Sequence, residues 1–212
     1  MSLFGRTLFI DSTDCPTELC RIGGNFDTDK SPFSVNSACS KHRKGYTAIY
    51  QMLFSTFKHR LVRIAEIGIE AGASLRMWSK FFSSEARIHV FEKNTQFIDD
   101  AKKFNLPNVT FVHTDVDNIQ YLDNSFQTTR VSFDIIIDDS THHIPHQNNI
   151  INTVSKYLKS GGMLIIEDID RDTPLSYYKI DPAIWEFHTF IICHHSNRNC
   201  YNNDKLLYLV KK

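Results

Sequence analysis

The chain has 212 residues, enough for one substantial hydrophobic core, so a single domain is the starting expectation. Its 24 basic and 24 acidic residues give no net charge, which argues against nucleic acid or an anionic membrane as a partner reached through bulk electrostatics. No apolar run is long enough to cross a membrane, the first residues lack the pattern of a secretory signal, and five irregularly spaced cysteines indicate reduced thiols. We therefore expect a cytoplasmic protein without a membrane partner.

Residues 1–44 show no sustained hydrophobic period and predict an irregular N-terminal cap, with the main domain over residues 45–212. In that domain, apolar runs that predict strands alternate with segments of helical periodicity. The predicted strands are 62–68, Arg87–Glu92, Asn108–His113, Ser132–Asp138, Met163–Glu167, Phe187–His194 and Leu206–Val210; the predicted helices are 45–58, 73–83, Gln96–Phe104, 118–124 and one ended by Gly161-Gly162. This order predicts a doubly wound α/β fold with a mostly parallel seven-stranded sheet, whose last two strands form an antiparallel pair.

The segment Val62–Leu75 predicts a buried strand, a tight turn and the start of a helix. Gly68 and Gly72 permit a sharp turn and a close approach of the backbone to a ligand. Nucleotide-like cofactors bind at such strand-helix loops, and the simpler alternative is a turn with no ligand. Glu70 lies between the two glycines, and its negative charge disfavours a phosphate ligand.

Two acidic residues lie at the ends of the next two predicted strands. Glu92 closes the strand RIHVFE, at about the distance after Glu66 that dinucleotide-binding folds use for a carboxylate that accepts both ribose hydroxyls. Asp115 follows the strand Asn108–His113. The alternatives are a solvated strand-end acid for Glu92 and a helix N-cap for Asp115.

Two acidic clusters, Asp138-Asp139 and Glu167-Asp168, follow strands that should be neighbours in the sheet. Because the carboxyl ends of parallel strands meet at one edge, these carboxylates should converge beside the glycine turn. Carboxylate ligands suit Mg²⁺ or Mn²⁺, and clustered acids without a cation repel one another. The clusters therefore predict a metal or a nearby base, with helix caps and surface loop acids as the alternative.

Several motifs then follow the order found in class I S-adenosylmethionine-dependent methyltransferases. They are Phe26–Lys30 (FDTDK), Glu66–Trp78, Ile137–His142 (IDDSTH) and Ile166–Asp168 (IED). Across residues 25–170 the chain resembles the Mg-dependent macrolide-sugar O-methyltransferases of the mycinamicin and macrocin type, and the cephalosporin-hydroxylase-like group. It departs from them at Asp27, where they have glycine, and in its short tail after residue 170.

The resemblance implies a Rossmann-like fold, S-adenosylmethionine as cofactor, and Mg (or Mn) as metal. It implies cofactor contacts from Lys30, Tyr50, Glu66, Gly68, Gly72, Ser74, Glu92, Asp115 and Asp138, and metal ligands at Asp139, Glu167 and Asp168. In this scheme Lys30 pairs with the cofactor carboxylate, Tyr50 donates a hydrogen bond to the cofactor, and Asp115 faces the adenine amino group. His142 is the general base, with His143 and His146 as alternatives, and the alternative for Lys30 is a surface ion pair.

The expected reaction is methyl transfer to a hydroxyl of a sugar or polyol, so the partner is a small-molecule or glycan acceptor. A homo-oligomer is compatible with exchange of the N-terminal segment between subunits. Three alternatives stay open: a metal-independent N- or O-methyltransferase, a non-catalytic S-adenosylmethionine-binding partner protein and, more distantly, a nicotinamide-dependent dehydrogenase.

Overall fold

The computed structural model describes residues 5–35, 44–193 and 204–212. These residues form one eight-stranded sheet with helices on both faces. The strands are β1 (Arg6–Asp11), β2 (Arg63–Ile67), β3 (Arg87–Glu92), β4 (Val109–His113), β5 (Phe133–Asp138), β6 (Leu158–Ile169), β7 (Trp185–Cys193) and β8 (Lys205–Lys211). The helices are α1 (Glu18–Asn25), α2 (Tyr46–Phe54), α3 (Ala73–Phe81), α4 (Thr95–Lys102), α5 (Ile119–Thr129) and α6 (Ile144–Val154).

The strand order in the sheet is β1-β7-β8-β6-β5-β2-β3-β4. Strands β2 to β6 pair in parallel, β1 is parallel to β7, and β8 is antiparallel to both β6 and β7. The chain runs outward from β2 to β4 on one side and from β5 to β6 on the other. The doubly wound fold and the reversed last pair are thus confirmed, and ligands of such folds bind where the strand order reverses, here between β2 and β5.

The predicted number of strands is wrong, because the sheet has eight strands rather than seven. The additional strand is β1, in a segment for which the sequence predicts only an irregular cap. Four of its first five residues are exposed, among them Leu8 at 43% and Phe9 at 71%. Only Ile10 of this strand packs against the core, so the segment shows no alternation of polar and apolar residues and periodicity does not reveal it.

The helix before β6 also ends earlier than predicted. α6 ends at Val154, a 3-10 turn covers Ser155–Tyr157, and β6 already begins at Leu158. Gly161 has the predicted left-handed backbone, with φ of +75°, but it lies within β6. The pairing of β6 with β5 shifts register near its start, so the glycine pair accompanies a strand irregularity rather than a helix cap.

Two hydrophobic clusters lie on the two faces of the sheet. One packs α1, α2 and α3 against the central strands and includes Trp78; the other packs α5 and α6 and includes Phe126. Ile64 belongs to the first cluster and its neighbour Ala65 to the second, because side chains alternate along a strand. Burial on both faces explains why the central strands are continuous apolar runs.

None of the helices in the described ranges is long and apolar enough to span a membrane. The longest of them, α5 and α6, have 11 residues each.

Candidate active site

The turn between β2 and α3 packs directly on the backbone that follows β5. Gly68 has φ of +86°, and a Cβ built on it would lie 2.2 Å from the carbonyl oxygen of Asp139. The Asp139 N–H donates to the Ile67 carbonyl at 2.9 Å, and the Gly68 N–H donates to the Phe91 carbonyl at 2.8 Å. Only glycine fits this conformation and this approach. Gly68 therefore brings the first acid after β5 against the glycine turn.

A pocket of about 430 Å³, called here the main pocket, lies beside this turn along the carboxyl edge of the sheet. Its wall after β3 and β4 includes Phe91, Glu92, Phe97, Thr114 and Val116, and its wall after β5 and β6 includes Asp139, Ser140, His142 and Asp168. Gly68 lies between the two ends. The pocket thus spans the reversal of strand order, with one largely apolar end and one charged end.

Glu92 lies in the wall of the main pocket, where the sequence predicts it. Its two carboxylate oxygens accept hydrogen bonds from the Ile69 N–H at 3.0 Å and from the Asn94 N–H at 2.7 Å. Each oxygen keeps a second lone pair that a ligand hydroxyl can use. The geometry is compatible with the ribose contact, which stays a prediction.

Asp115, predicted to face the adenine, is absent from the wall of the main pocket. Thr114 and Val116 form the pocket wall, whereas Asp115 pairs with Lys93 at 2.8 Å. Burial acts to raise the pKa of Asp115, but the hydrogen bond and charge of Lys93 and the hydrogen bond from the Asp117 N–H together lower it. The alternative role of Asp115 as a helix N-cap is wrong, because Asn118 is the N-cap of α5; the adenine contact stays a prediction.

A second cleft of about 330 Å³ adjoins the main pocket and shares with it the wall residues Asp29, Ile69, Glu70 and Asp139. Its far side is the first turn of α3, including Ser74. Gly72 is the N-cap of that helix with φ of +71°, and a Cβ there would lie 2.7 Å from the Phe104 ring. Gly72 therefore permits the packing of the helix start, and Ser74 is the predicted cofactor residue that faces this cleft.

The buried lysine Lys30 joins the acids that follow β5 and β6. Its Nζ lies 2.5 Å from Asp139 Oδ2 and 2.7 Å from Glu167 Oε2, and the residue is 1% exposed. Tyr50 donates its hydroxyl to the other Glu167 oxygen. The sequence predicts that Lys30 and Tyr50 contact the cofactor, but the structure turns both to the acids. The physical reason is that buried carboxylates without partners are costly.

Asp168 has partners of the same kind. Lys44 Nζ lies 2.5 Å from its Oδ1, and the Tyr46 hydroxyl donates to the same oxygen at 2.8 Å. Tyr46 and Tyr50 are one helical turn apart on α2, so their hydroxyls reach the two adjacent acids. The sequence does not single out Lys44, because a lysine just before a helix belongs to no pattern. The spacing of the two tyrosines is the signal that could have indicated the contact between α2 and these acids.

Asp139, His142 and Asp168 form one group of candidate metal ligands, with one ligand atom of each within 4.8 Å of the others. The His142 Nε2 lies 3.5 Å from Asp168 Oδ2. Glu167, the third predicted ligand, is not in the group, because its oxygens face the buried lysine and tyrosine. His142 and Asp168 both have left-handed backbones, with φ of 58° and 57°. Such conformations cost energy and occur preferentially at functional sites.

Negative charge exceeds positive charge around this group. The carboxylates are Asp29, Asp139, Glu167 and Asp168, and the ammonium groups are Lys30 and Lys44. Burial raises the pKa of Asp29 and of Glu167 against the effect of Lys30, and repulsion from the other acids adds to the rise. Burial also acts to raise the pKa of Asp168, but there Lys44, His142 and Lys30 together lower it. In formal charge, four carboxylates exceed two lysines by two, which is the charge of one divalent cation.

Glu66 and Asp138 lie beneath the two clefts rather than in their walls. Trp78 Nε1 donates to one Glu66 oxygen at 2.9 Å, and Ser140 donates its hydroxyl to Asp138 Oδ1 at 2.6 Å. The other oxygen of each acid is buried without a hydrogen-bond partner in the described part of the chain. Burial raises the pKa of Glu66 to about 7 and that of Asp138 to about 6. The sequence predicts direct cofactor contacts for both acids. Their side chains point into the protein, so neither acid faces a cavity.

Of the three histidines considered as bases, His142 lines the main pocket. His146 uses both ring nitrogens, with Nδ1 2.7 Å from the Thr141 hydroxyl and Nε2 3.1 Å from Asp117. His143 is the N-cap residue of α6 and is absent from the pocket wall. The geometry favours His142 among the three.

The parallel sheet, the pocket at its reversal point and the glycine turn define a Rossmann-like α/β protein whose pocket lies where ligands bind in such folds. The sequence profile of the methyltransferase domain family matches residues 75–210, which is more than half of the chain. The chain belongs to this methyltransferase family.

The chain is also similar in sequence to two O-methyltransferases. The chain is 31% identical to an 8-demethyl-8-(2-methoxy-alpha-L-rhamnosyl)-tetracenomycin-C 3'-O-methyltransferase of Streptomyces olivaceus, over 58% of this chain and 32% of the relative. It is 25% identical to a mycinamicin VI 2''-O-methyltransferase of Micromonospora griseorubida, over 58% and 31% of the two chains. The chain thus spans about a third of the length of these relatives.

Solved structures confirm the class I methyltransferase fold. The MycE methyltransferase from the mycinamycin biosynthetic pathway, in complex with Mg, SAH and mycinamycin VI, matches with a TM-score of 0.66 and 19% identity, over 93% of this chain and 55% of that chain. A SAM-dependent O-methyltransferase from Thermotoga maritima matches with a TM-score of 0.58 and 14% identity, over 77% and 63%. At these identities the likeness concerns the fold.

Proposed function

We propose that the protein is an S-adenosylmethionine-dependent O-methyltransferase that acts on a sugar hydroxyl of a glycosylated small molecule. The observation that carries the proposal is the position of Asp139, His142 and Asp168 at one end of a pocket whose other end contains Glu92. The printed activities of the relatives, which are O-methylations of a rhamnosyl tetracenomycin and of mycinamicin VI, support the choice of acceptor class.

In this proposal the donor lies in the main pocket in one direction. Its apolar wall of Phe91, Phe97 and Val116 suits a purine, and Glu92 beside it suits the ribose hydroxyls. A donor placed in this way has its sulfonium near Gly68 and its methyl group toward His142. The acids of the charged end favour a cationic sulfonium over an anionic ligand.

Asp139 and Asp168 fit a divalent metal ion such as Mg²⁺ or Mn²⁺. They offer hard carboxylate oxygens, and the surplus of acids over lysines favours an added cation. When bound, such an ion supplies Lewis-acid chemistry that orients the acceptor oxygens and lowers the pKa of a hydroxyl. Glu167 holds Lys30 and Tyr50 in this scheme instead of the ion.

His142 is the residue that we assign as general base. Its side chain is 38% exposed and lines the main pocket, and its Nε2 lies 3.5 Å from Asp168 Oδ2. The acceptor hydroxyl gives its proton to His142, its oxygen forms a bond to the donor methyl carbon, and the carbon–sulfur bond breaks to leave neutral S-adenosylhomocysteine. Orientation of two bound reactants lowers the barrier.

A metal-independent methyltransferase is the second candidate, and one observation favours it. Lys30 and Lys44 already lie 2.5 Å from Asp139 and Asp168, respectively, so part of the acidic charge is neutralised without an ion. These lysines would then keep the carboxylates in place, and His142 would act alone on the acceptor.

Turnover of labelled S-adenosylmethionine with a panel of glycosides, in EDTA and in Mg²⁺, tests both candidates. We expect label in a rhamnosyl or related glycoside and restoration of activity by Mg²⁺ after EDTA. Equal turnover in EDTA would establish the metal-independent candidate. Binding of S-adenosylhomocysteine without transfer to any acceptor would favour a non-catalytic protein, and tight binding of NAD instead would contradict the proposal.

A further inference from the structure

A groove of about 280 Å³, called here the α5–α6 groove, lies between the helices α5 and α6. It is lined by Ile119, Gln120 and Asp123 of α5 and by Asn149, Asn152 and Thr153 of α6. None of these residues lines the main pocket or the second cleft. The groove is therefore a separate cavity, and amide, hydroxyl and carboxylate groups make up most of its lining.

The two asparagines of the groove present oxygen atoms that accept hydrogen bonds. Asn149 Nδ2 donates to the Val116 carbonyl at 3.0 Å, and Asn152 Nδ2 donates to the Asn148 carbonyl at 2.7 Å. Because a carbonyl only accepts, these contacts fix the amide nitrogens toward the backbone. Neither Oδ1 has a hydrogen-bond partner in the described ranges, so both oxygens are available to a ligand that donates.

Thr153 adds a hydroxyl at a nearly buried position. The residue is 6% exposed and lines the groove, but its hydroxyl makes no hydrogen bond in the part of the chain that the structure describes. In α5, by contrast, Thr129 donates its hydroxyl to the Phe126 carbonyl of its own helix at 2.7 Å. A hydroxyl that is removed from water without a partner costs free energy, which a hydrogen bond to a ligand recovers.

The charged side chains of the groove neutralise each other. Lys156 also lines it, and its Nζ lies 2.6 Å from Asp123 Oδ1. The paired charges favour neither an anion nor a cation, so a neutral ligand fits best. Ile119 is 56% exposed and offers an apolar surface at the same place. A neutral ring with hydroxyls at its edge and C–H groups on its faces matches this combination.

We propose that the α5–α6 groove binds a sugar ring through its hydroxyls. Ring hydroxyls donate to Asn149 Oδ1 and Asn152 Oδ1, and the Thr153 hydroxyl bonds to a further oxygen of the ring. Ile119 contacts one face of the ring. The few fixed polar groups give orientation, as in other small-ligand sites.

The groove runs along α6, which begins just after His142. Asn149 and Thr153 lie about 9 and 15 Å from the N-cap residue His143 along the helix axis, at about 1.5 Å per residue. Asn149 also joins the groove to the main pocket, because it donates to the carbonyl of the wall residue Val116. A glycoside with more than one sugar can thus react at His142 and place another sugar in the groove. This assignment of the bound sugar to the acceptor rests on the proposed function.

Amide chemical shifts measured by NMR test the binding of a sugar. Methyl α-L-rhamnopyranoside should shift the signals of residues 119–123 and 149–156, whereas cyclohexanol, a ring with a single hydroxyl, should leave them in place. Thr153→Val keeps the shape and removes the hydroxyl, and Asn152→Ala removes an acceptor. Each variant should weaken the rhamnoside about fivefold, as for one hydrogen bond. Thr129→Val is the matched control with unchanged affinity, since Thr129 lies outside the groove.

Other results of the titration would overturn the inference. Signals of the groove that do not move at high rhamnoside concentration would do so, and so would shifts confined to residues 67–70 and 139–142 of the main pocket. Equal shifts with cyclohexanol, or unchanged rhamnoside affinity in both groove variants, would show that the groove does not recognise the hydroxyls.

Turnover separates this inference from the proposed function. With a glycoside that the protein methylates, Thr153→Val should raise KM about fivefold and leave kcat unchanged, because the lost contact is remote from the reacting hydroxyl. An unchanged KM would overturn the assignment of the bound sugar to the acceptor. Binding in the groove of a protein that methylates no glycoside would contradict the proposed function and support the sugar site alone.

Discussion

The two ends of the main pocket are built in different ways. At the apolar end, Glu92 is held by the N–H groups of Ile69 and Asn94, which are 23 and 2 residues away in the chain. At the charged end, Lys30 reaches Asp139 and Glu167 across 109 and 137 residues. The apolar end therefore depends on backbone geometry within one β-α-β unit, whereas the charged end exists only when the N-terminal segment packs against the strand ends.

This difference separates binding of the donor from chemistry on the acceptor. A site made by local backbone groups is formed whenever its strands and turns form. A site made by buried ion pairs depends on every partner, since removal of one leaves an uncompensated charge. Substitutions at the apolar end should consequently change donor binding, and substitutions at the charged end should change catalysis or stability.

Lys30→Met should destabilise the fold most. It leaves Asp139 and Glu167 without their shared cation, and breaking a buried pair in this way costs about 3–5 kcal/mol of unfolding free energy. Urea unfolding measures the change. The double variant Lys30→Met, Glu167→Gln should recover part of the loss because the amide carries no charge. A loss below about 1 kcal/mol in the single variant would show that the charged end does not depend on this contact.

His142→Ala should remove catalysis and spare the donor. We expect turnover to fall about 10²- to 10⁴-fold, the usual contribution of a general base, while S-adenosylhomocysteine binding stays unchanged. Single-turnover kinetics and calorimetry measure the two effects. His146→Ala is the control, since that ring is already bonded to Thr141 and Asp117 and lies outside the pocket wall. A parallel loss of binding and turnover in His142→Ala would contradict the separation of the two ends.

Glu92→Gln should weaken donor binding and spare catalysis. The amide accepts hydrogen bonds more weakly, so we expect donor affinity to fall about tenfold while turnover at saturating donor is retained. Asp115→Asn is the matched control, because the structure places Asp115 against Lys93 rather than in the pocket. If Asp115→Asn weakened the donor as much as Glu92→Gln, the assignment of these two strand-end acids would be wrong.

We expect the smallest effect from a substitution of His89, which tests the packing beneath the apolar end of the main pocket. Burial, with a further effect of Arg63, lowers the pKa of His89 below 6.5. As the pH falls, the imidazole is protonated at a higher pH in the unfolded chain than in the folded protein. The contribution of His89 to stability is therefore complete above pH 6.5 and is lost as the pH falls toward the lower folded pKa. His89→Phe should remove this part of the pH dependence of unfolding, measured against the unaltered protein between pH 5 and 7. Parallel stability curves for the two proteins would rule the effect out.

Patterns within short segments account for the parts of the fold that the sequence predicts. The central strands are apolar on both faces, so their runs identify them, and the glycine turn follows from Gly68 in VRIAEIGIEAGASL. Strand β1 is exposed and thus has no such pattern, and the Gly161-Gly162 pair fits a helix end as well as an irregular strand start. Prediction of an element from the sequence fails where its burial produces no periodic pattern of apolar residues.

The residues of the candidate site also divide into features that the sequence predicts and features that it does not. Glu92, Asp139, His142 and Asp168 lie at the pocket, since parallel strands bring their carboxyl ends to one edge. The direction in which each side chain points follows from its partners. Lys30 and Tyr50 turn toward Glu167, Asp115 turns toward Lys93, and Glu66 turns under the pocket toward Trp78. Sequence position gives the edge on which an acid lies but does not give its hydrogen-bond partner.

The doubly wound fold, the glycine turn and the collection of acids at one edge of the sheet can be predicted from the sequence, because they depend on local periodicity and on the geometry of parallel strands. Which of these acids face a cavity follows from the packing of distant segments. That choice depends on cations and hydroxyls that come from the distant N-terminal segment and from α2, and buried carboxylates take whichever partners the packing brings within hydrogen-bonding distance. Glu167 is enclosed for this reason, while Asp29 and Asp168 face the cavities.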